Sequence, residues 1–340
     1  MIQKEAKENI AIFDAYAKMQ SIFEQYSDKN RIMVSISGGS DSDIMLDMCM
    51  HFDKKKEMHY VFFDTGIEYE ATKRHLDYLD KKYGIEIERV KAVEPVPLAV
   101  KNGGLPFMSK KISERINAAI KKGFCFSDDL EDIKKLCISE KRWWTNDSGG
   151  KGKYDIKNNY GLKEFLIENP PDFKISDYCC FGAKKHTATK YEKDNDIILS
   201  LRGMRRAEGG ARVSRQSCFN NATKSSIANY APLWWLSDKD KQEYEQLFNI
   251  VHSDCYTVYG FKRTGCAGCP FNSKFEDALK IIKKYEPKLY KAVNAIFGKS
   301  YEYTRKYRAF KRDMKRRERL RIDVNQISMQ ELIAQSGKGE

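Results

Sequence analysis

Six consecutive residues, Ser37-Gly38-Gly39-Ser40-Asp41-Ser42, combine types suited to holding an anion. Two glycines let the backbone turn sharply and approach a ligand closely. Successive N–H groups and the start of a following helix then form a cradle for negative charge. Ser37, Ser40 and Ser42 add hydroxyl donors, and Asp41 could hold Mg²⁺ beside phosphates. The bland alternative is a capped strand-to-helix turn. The string is not GxxxxGK followed by Ser or Thr, which disfavours an ordinary P-loop kinase or ATPase.

Two further groups carry chemistry. Arg202, Arg205, Arg206, Arg212 and Arg215 place five guanidinium groups within fourteen residues. Guanidinium binds phosphate and sulfate bidentately, so the cluster suits an anionic nucleotide end or a polyanionic acceptor, against a solvated loop. Of nine cysteines, Cys179 and Cys180 are adjacent, and Cys266-Ala267-Gly268-Cys269 is a CxxC followed by Pro270. CxxC turns two thiolates towards one metal or cluster, and the distant pair completes four ligands. A Cys₄ zinc site and a redox dithiol stay open beside an iron–sulfur cluster. Cys218, near Arg215, could accept or carry sulfur, or be a buried structural thiol. Cys49, Cys125, Cys137 and Cys255 read as packing residues, as do Trp234 and Trp235. His75 and His186 are isolated and receive no chemical role.

The elements that must position these groups follow from periodicity. Residues 4–26 show helical spacing of apolar side chains. Residues 31–37 read as a short buried strand running into the Gly-Gly turn, after which helical periodicity resumes over 43–52. A second strand at 58–63 ends at Asp64-Thr65-Gly66, and a helix at 70–83 precedes a third strand at 85–91. Strands alternating with helices at this spacing predict an α/β fold, a parallel sheet with right-handed crossovers. Asp64 then stands at a strand's C-terminal end, where open α/β sheets bind ligands. Residues 105–173, with the Gly-rich turn at 148–152, read as a helical insertion or lid. Residues 196–201 return to the sheet, 260–270 form a Cys-bearing loop, and helices finish the chain.

Composition bounds the partners. The chain has 340 residues, 41% hydrophobic and 32% charged, which supports a core and excludes disorder over most of the length. Twenty-one Gly and eight Pro are too few for a fibrous protein. No apolar run approaches the roughly 18–20 residues that span a bilayer. The N-terminal residues carry charges inside their apolar stretch, unlike a signal peptide or anchor, so a cytoplasmic protein without a membrane partner is expected. Net charge is +13, and the segment from Arg305 to Arg321 supplies +8 of it, with ten basic and two acidic residues. That segment reads as a contact for nucleic acid or another polyanion, or as a solvated helix face. Tyr303, Tyr307 and Phe310 would pack its other side.

Taken together, these strings resemble a known family. SGGSDS resembles the PP-loop of the N-type ATP pyrophosphatases. Residues 63–72, FDTGIEYEAT, resemble the second-strand motif of the phosphoadenosine phosphosulfate (PAPS) reductase branch. RGMRRAE at 202–208 is similar to that branch's GxRxxE segment, and APLWWLSDKD at 231–240 to its P-x-x-x-W-x-x-x-D stretch. The resemblance spans roughly 30–275. It implies a Rossmann-like fold of the adenine nucleotide alpha hydrolase type over 30–275, with an N-terminal helix at 1–29 and a basic helical region at 276–340.

The resemblance also implies roles. Ser37, Gly38, Gly39, Ser40, Asp41 and Ser42, with Asp64, Thr65, Gly66, Arg202 and Arg206, would bind ATP and Mg²⁺. Asp41, Ser42 and Arg205 would act in catalysis, and Cys218, read from its own neighbours rather than from the resemblance, is the candidate thiol. Cys179, Cys180, Cys266 and Cys269 match the CC…CxxC pattern of sulfonucleotide reductases that carry a 4Fe–4S cluster, with zinc as the alternative. Assimilatory reductases of the family carry a nucleophilic cysteine near the C-terminus, whereas the last cysteine here is Cys269. The expectation is an ATP pyrophosphatase-type enzyme that adenylates an acceptor for sulfur transfer, with a sulfur donor or redox protein as partner. The alternatives are an adenylyl-sulfate or PAPS reductase releasing sulfite, and an adenylate-binding regulator without turnover.

Overall fold

The computed structural model of the chain describes residues 8–147, 155–213 and 216–336, with backbone alone at 211 and over 321–336. The turn at 148–152 and Arg215 lie outside the described residues. Six strands form one sheet: β1 (Ile32–Ile36), β2 (His59–Asp64), β3 (Glu88–Lys91), β4 (Leu199–Arg202), β5 (Phe219–Asn220) and β6 (Ala228–Tyr230). Their order is β3-β2-β1-β4-β6-β5, parallel throughout except for the antiparallel β5 at the edge. The fold is α/β with a mostly parallel, Rossmann-like sheet flanked by helices.

Alternation along β1 explains the layering. Ile32, Val34 and Ile36 enter one core with the helices Ile10–Gln25 and Ser40–Phe52, while Met33 faces a second cluster with Val61, Tyr191 and Ile197. Both faces of the central strands are covered, which is why they read as continuous apolar runs. The order also reverses at β1: β2 and β3 extend to one side, β4 and β6 to the other. Ligands of open α/β sheets bind in the crevice at such a switch point, outside the strands' carboxyl ends.

The helix after β1 begins at Ser40, three residues before its periodicity suggests. Gly39 is extended (φ −95°, ψ 155°) and caps it, and the Ser42 hydroxyl donates to the Gly39 carbonyl at 2.8 Å. Ser40, Asp41 and Ser42 are therefore first-turn residues rather than loop. Strands β5 and β6 have no counterpart in the sequence reading.

Two units divide the chain. One comprises 1–99, 179–269 and 274–296, and holds the sheet; the other comprises 100–178, 270–273 and 297–340. The second unit builds its own aromatic core from Phe107, Trp143, Trp144 and Phe165 with Tyr303 and Tyr307 of the helix Pro287–Ser336. Two of its polar tips are satisfied, Trp144 Nε1 donating to the Ser127 carbonyl at 3.1 Å and Tyr307 Oη to the Tyr160 carbonyl at 2.8 Å, while the buried Trp143 Nε1 has no hydrogen-bond partner among the described residues. Among the described residues no helix is long and apolar enough to cross a membrane.

Candidate active site

The Ser37–Ser42 string crosses from β1 into its helix through a turn that only glycine fits well. Gly38 has φ +64°, and a Cβ there would lie 2.6 Å from Thr72 Cγ2. The Ser42 hydroxyl also accepts from the Ser37 N–H at 3.3 Å and the Gly39 N–H at 3.2 Å. It is buried and occupied as a staple of the turn. Asp41 Oδ1 takes two cations, Arg205 Nε at 3.0 Å and Lys241 Nζ at 2.9 Å. Lys241 also reaches the Ser40 hydroxyl.

Strand β4 delivers the second wall. Ser35 pairs with Arg202, so the segments following β1 and β4 leave the same end of the sheet side by side. Gly203 packs directly on the turn: a Cβ there would lie 2.9 Å from both the Asp41 carbonyl oxygen and Ser42 Cα. Arg205 is buried and ties Asp41 to Asp238, with Nη1 2.9 Å from Asp238 Oδ1. Burial alone would lower its pKa, but Asp41 and Asp238 outweigh that and hold it above the ordinary value.

Around these residues lies an open cavity of about 1310 Å³, within the sheet-bearing unit. Its cationic lining includes Arg202, Arg205, Arg212, Lys184, Lys241 and Arg263. Arg206 is not part of it; its guanidinium stands over the Trp235 ring, 5.6 Å from the centroid. Trp234 is fully buried, as its packing role requires. Glu208 pairs with Arg212 at 3.1 Å and Arg263 at 3.3 Å, so part of this charge is already matched. Lys241, Tyr256 and Thr264 reach the turn without any motif marking them. Tyr256 Oη accepts from the Ser40 N–H at 3.1 Å and shares a hydrogen bond with Thr264 Oγ1 at 2.9 Å.

The residues after β2 face the cysteines instead. Asp64 Oδ1 accepts from the Gly66 N–H at 2.8 Å, a local turn closure, and Asp64 does not line the cavity. Thr65 is buried; its hydroxyl donates to Glu68 Oε1 at 2.6 Å and lies 3.8 Å from Cys266 Sγ. The Ala267 N–H donates to the Ile67 carbonyl at 3.2 Å, which fixes the CxxC loop to this turn. A hydrogen bond with Cys180, burial, and the fields of Cys180, Cys269 and Cys266 push the Cys179 thiol up. The other three cysteines of the CC and CxxC pairs are thus the thiols whose fields act on Cys179. Among the described residues, however, no three His, Cys, Asp or Glu side chains are arranged as they stand to hold a metal ion. Lys184 joins the two regions. It lines the cavity, and the field of Cys266, opposed by desolvation and aided by Glu68, raises its pKa.

Cys218 is placed elsewhere. It is half-buried against the core of the Ser40–Phe52 side and does not line the cavity. His75, by contrast, is far from isolated. Its Nε2 lies 3.0 Å from Oδ2 of Asp43, a fully buried carboxylate beneath the turn. His252 Nδ1 reaches the same oxygen at 2.7 Å, and its Nε2 reaches Glu245 Oε1 at 2.8 Å. Burial would lower the His252 pKa, but the hydrogen bonds to Asp43 and Glu245 prevail and raise it to about 9.

Residues 31–118 match the phosphoadenosine phosphosulfate reductase domain family. An uncharacterized protein of Methanocaldococcus jannaschii is 24% identical over 270 residues, which is 77% of this chain; the chain spans only 40% of that protein's length. A PAPS reductase from Candida auris in a phosphate complex shows 14% identity and a TM-score of 0.38, over 69% of this chain and 81% of its own. The U34-tRNA thiolase NcsA from Methanococcus maripaludis, with its 4Fe–4S cluster, shows 12% identity and a TM-score of 0.35, over 89% and 79%. The NH3-dependent NAD synthetase from Campylobacter jejuni shows 10% and 0.34, over 88% and 95%. β1, its glycine turn and the DTG turn after β2 all lie inside the segment, residues 31–118, that matches the phosphoadenosine phosphosulfate reductase domain.

Proposed function

We propose that the protein binds MgATP with its phosphates on residues 37–42 and transfers the adenylyl group to an acceptor. The observation that supports this reading is the set of cations lining the cavity onto which that turn opens, Lys184, Arg202, Arg205, Arg212 and Lys241, of which Arg205 and Lys241 contact the turn itself. An acceptor oxygen would attack the α-phosphorus, and the bond to the bridging oxygen would break with its electron pair leaving on pyrophosphate. The protein contributes alignment and charge stabilisation of the leaving group. Asp41 would hold Mg²⁺, which when bound offsets phosphate charge; Arg205 and Lys241 both fall on its Oδ1. The adenylated acceptor is then open to a sulfur nucleophile. Cys179, Cys180, Cys266 and Cys269 would hold a 4Fe–4S cluster, or zinc in its place; a bound cluster supplies sulfur binding or electron relay.

The test is calorimetric titration of anaerobically purified protein with MgATP, adenylyl sulfate and PAPS, followed by assay of pyrophosphate and sulfite release. Binding of MgATP, abolished in Arg205→Ala, supports the proposal. The family match favours the second reading, a sulfonucleotide reductase. Binding of a sulfonucleotide alone, with sulfite released, would establish it instead. Binding with no product from any acceptor would leave a nucleotide-sensing role.

We propose nucleic acid as the acceptor's class, on the exposed basic residues Arg312, Lys315, Arg316, Arg317 and Arg319. So dense a run of like charges repels itself, and a polyanion is the partner that offsets the repulsion.

A further inference from the structure

The turn that would receive a phosphate is already bridged. The first N–H of a helix has no partner within the helix, and at an anion site it is the group a phosphate oxygen takes. Here the Ser40 N–H donates to Tyr256 Oη at 3.1 Å. The same hydroxyl would lie 3.2 Å from a Cβ at Gly39, so it sits directly against the turn. Tyr256 belongs to the short helix Asp254–Thr257, lines the cavity and is half-buried. Its hydroxyl also hydrogen-bonds Thr264, two residues before Cys266.

We propose that the Tyr256 hydroxyl holds the place of a phosphate oxygen on the Ser40 N–H, and that an entering nucleotide displaces it. This rests on the reading of residues 37–42 as the phosphate site and names the residue that the ligand must move. Displacement breaks one bond of a continuous strap, Ser40 N–H to Tyr256 to Thr264, that ends at the cysteine loop. Occupancy of the cradle is thereby transmitted to residues 262–266 through Thr264. Tyr256 is a positioning residue on this account, and the phosphate gains Ser40 only by giving up what Tyr256 had.

The consequences have a sign. Removing a competing internal hydrogen bond favours the ligand, so Tyr256→Phe binds pyrophosphate about 2- to 10-fold more tightly than the unaltered protein, the range of one net hydrogen bond. Hydrogen exchange over 262–266 quickens in the unaltered protein when pyrophosphate is added. In Tyr256→Phe it is already fast without ligand. Thr264→Val keeps the Ser40 bridge but cuts the strap, and abolishes the pyrophosphate-induced change in exchange. Isothermal titration with pyrophosphate and with MgATP, paired with exchange measured by mass spectrometry, reads all three. Weaker binding by Tyr256→Phe would overturn the proposal, because the hydroxyl would then be a ligand contact rather than its stand-in. Unchanged binding would overturn it as well. If the unaltered protein binds neither pyrophosphate nor any nucleotide, the phosphate-site reading itself fails, and this inference with it.

Discussion

At the scale of single residues, the turn is built from positions that tolerate almost no change. Gly38 needs a left-handed backbone and meets Thr72, and Gly203 meets the backbone of Asp41 and Ser42. Overpacking of this kind costs about 1–3 kcal/mol. Gly203→Ala should therefore lower the urea midpoint and, because it pushes on Asp41 directly, weaken MgATP binding more than Gly38→Ala does. Calorimetry on both variants checks the order. Ser42 is a clear case of a role changed by context. Its type and place suggest a phosphate donor, yet its hydroxyl serves Ser37, Gly39 and the Gly39 carbonyl. Ser42→Ala should cost about 1–3 kcal/mol of stability through those buried partners. A stability unchanged in denaturant titration would return Ser42 to the ligand side. Cys218 shows the limit of reading a thiol from its sequence neighbours: a nearby Arg says nothing about which way the side chain packs.

Elements were legible in proportion to how much of their signal is local. Strands β1 and β2 announce themselves because burial on both faces demands unbroken apolar runs. Strands β5 and β6, two and three residues long, exist only because β4 offers a pairing edge, and no periodicity survives at that length. The basic helix was readable on both of its faces. Tyr303 and Tyr307 are buried in the aromatic core of their unit, as their spacing implies, while Arg312, Arg316 and Arg319 fall near the opposite side of the helix and are exposed. If that stripe meets phosphates, Arg312→Ala, Arg316→Ala and Arg319→Ala combined should weaken DNA or RNA binding for every sequence alike. The slope of log K against log salt should become shallower by about 0.9 for each duplex phosphate that the protein no longer neutralises. A slope equal to that of the unaltered protein, measured by anisotropy across salt, would leave the stripe a solvated face.

At the scale of the whole molecule, a polar chain that is fully buried only at His75 and Asp43 runs on through half-buried His252, Glu245 and Lys241, the last reaching Asp41. His252 is raised to about 9 in the folded state against 6.5 in the unfolded chain. Its protonated form therefore contributes stability that is full below about pH 6.5 and is lost as pH rises through about 9. The melting temperature should fall between pH 7 and pH 9.5, and by less in His252→Gln; equal falls in the two proteins would remove His252 as the cause. The amino-acid sequence by itself determined the α/β class, the glycine turn after β1 and the paired faces of the basic helix. Each of these rests on spacing within one or two elements. Only the tertiary structure decided that β4 lies beside β1, which sets the Arg202 segment against the turn. It also decided that Asp41 is held by Arg205, that His75 is joined to Asp43, and that Tyr256 covers Ser40. Those partners lie 164 positions apart for Asp41 and Arg205 and 216 apart for Ser40 and Tyr256. Contacts at that range depend on strand order and on which buried donors and acceptors remain to be matched, and a linear pattern of residue types encodes neither.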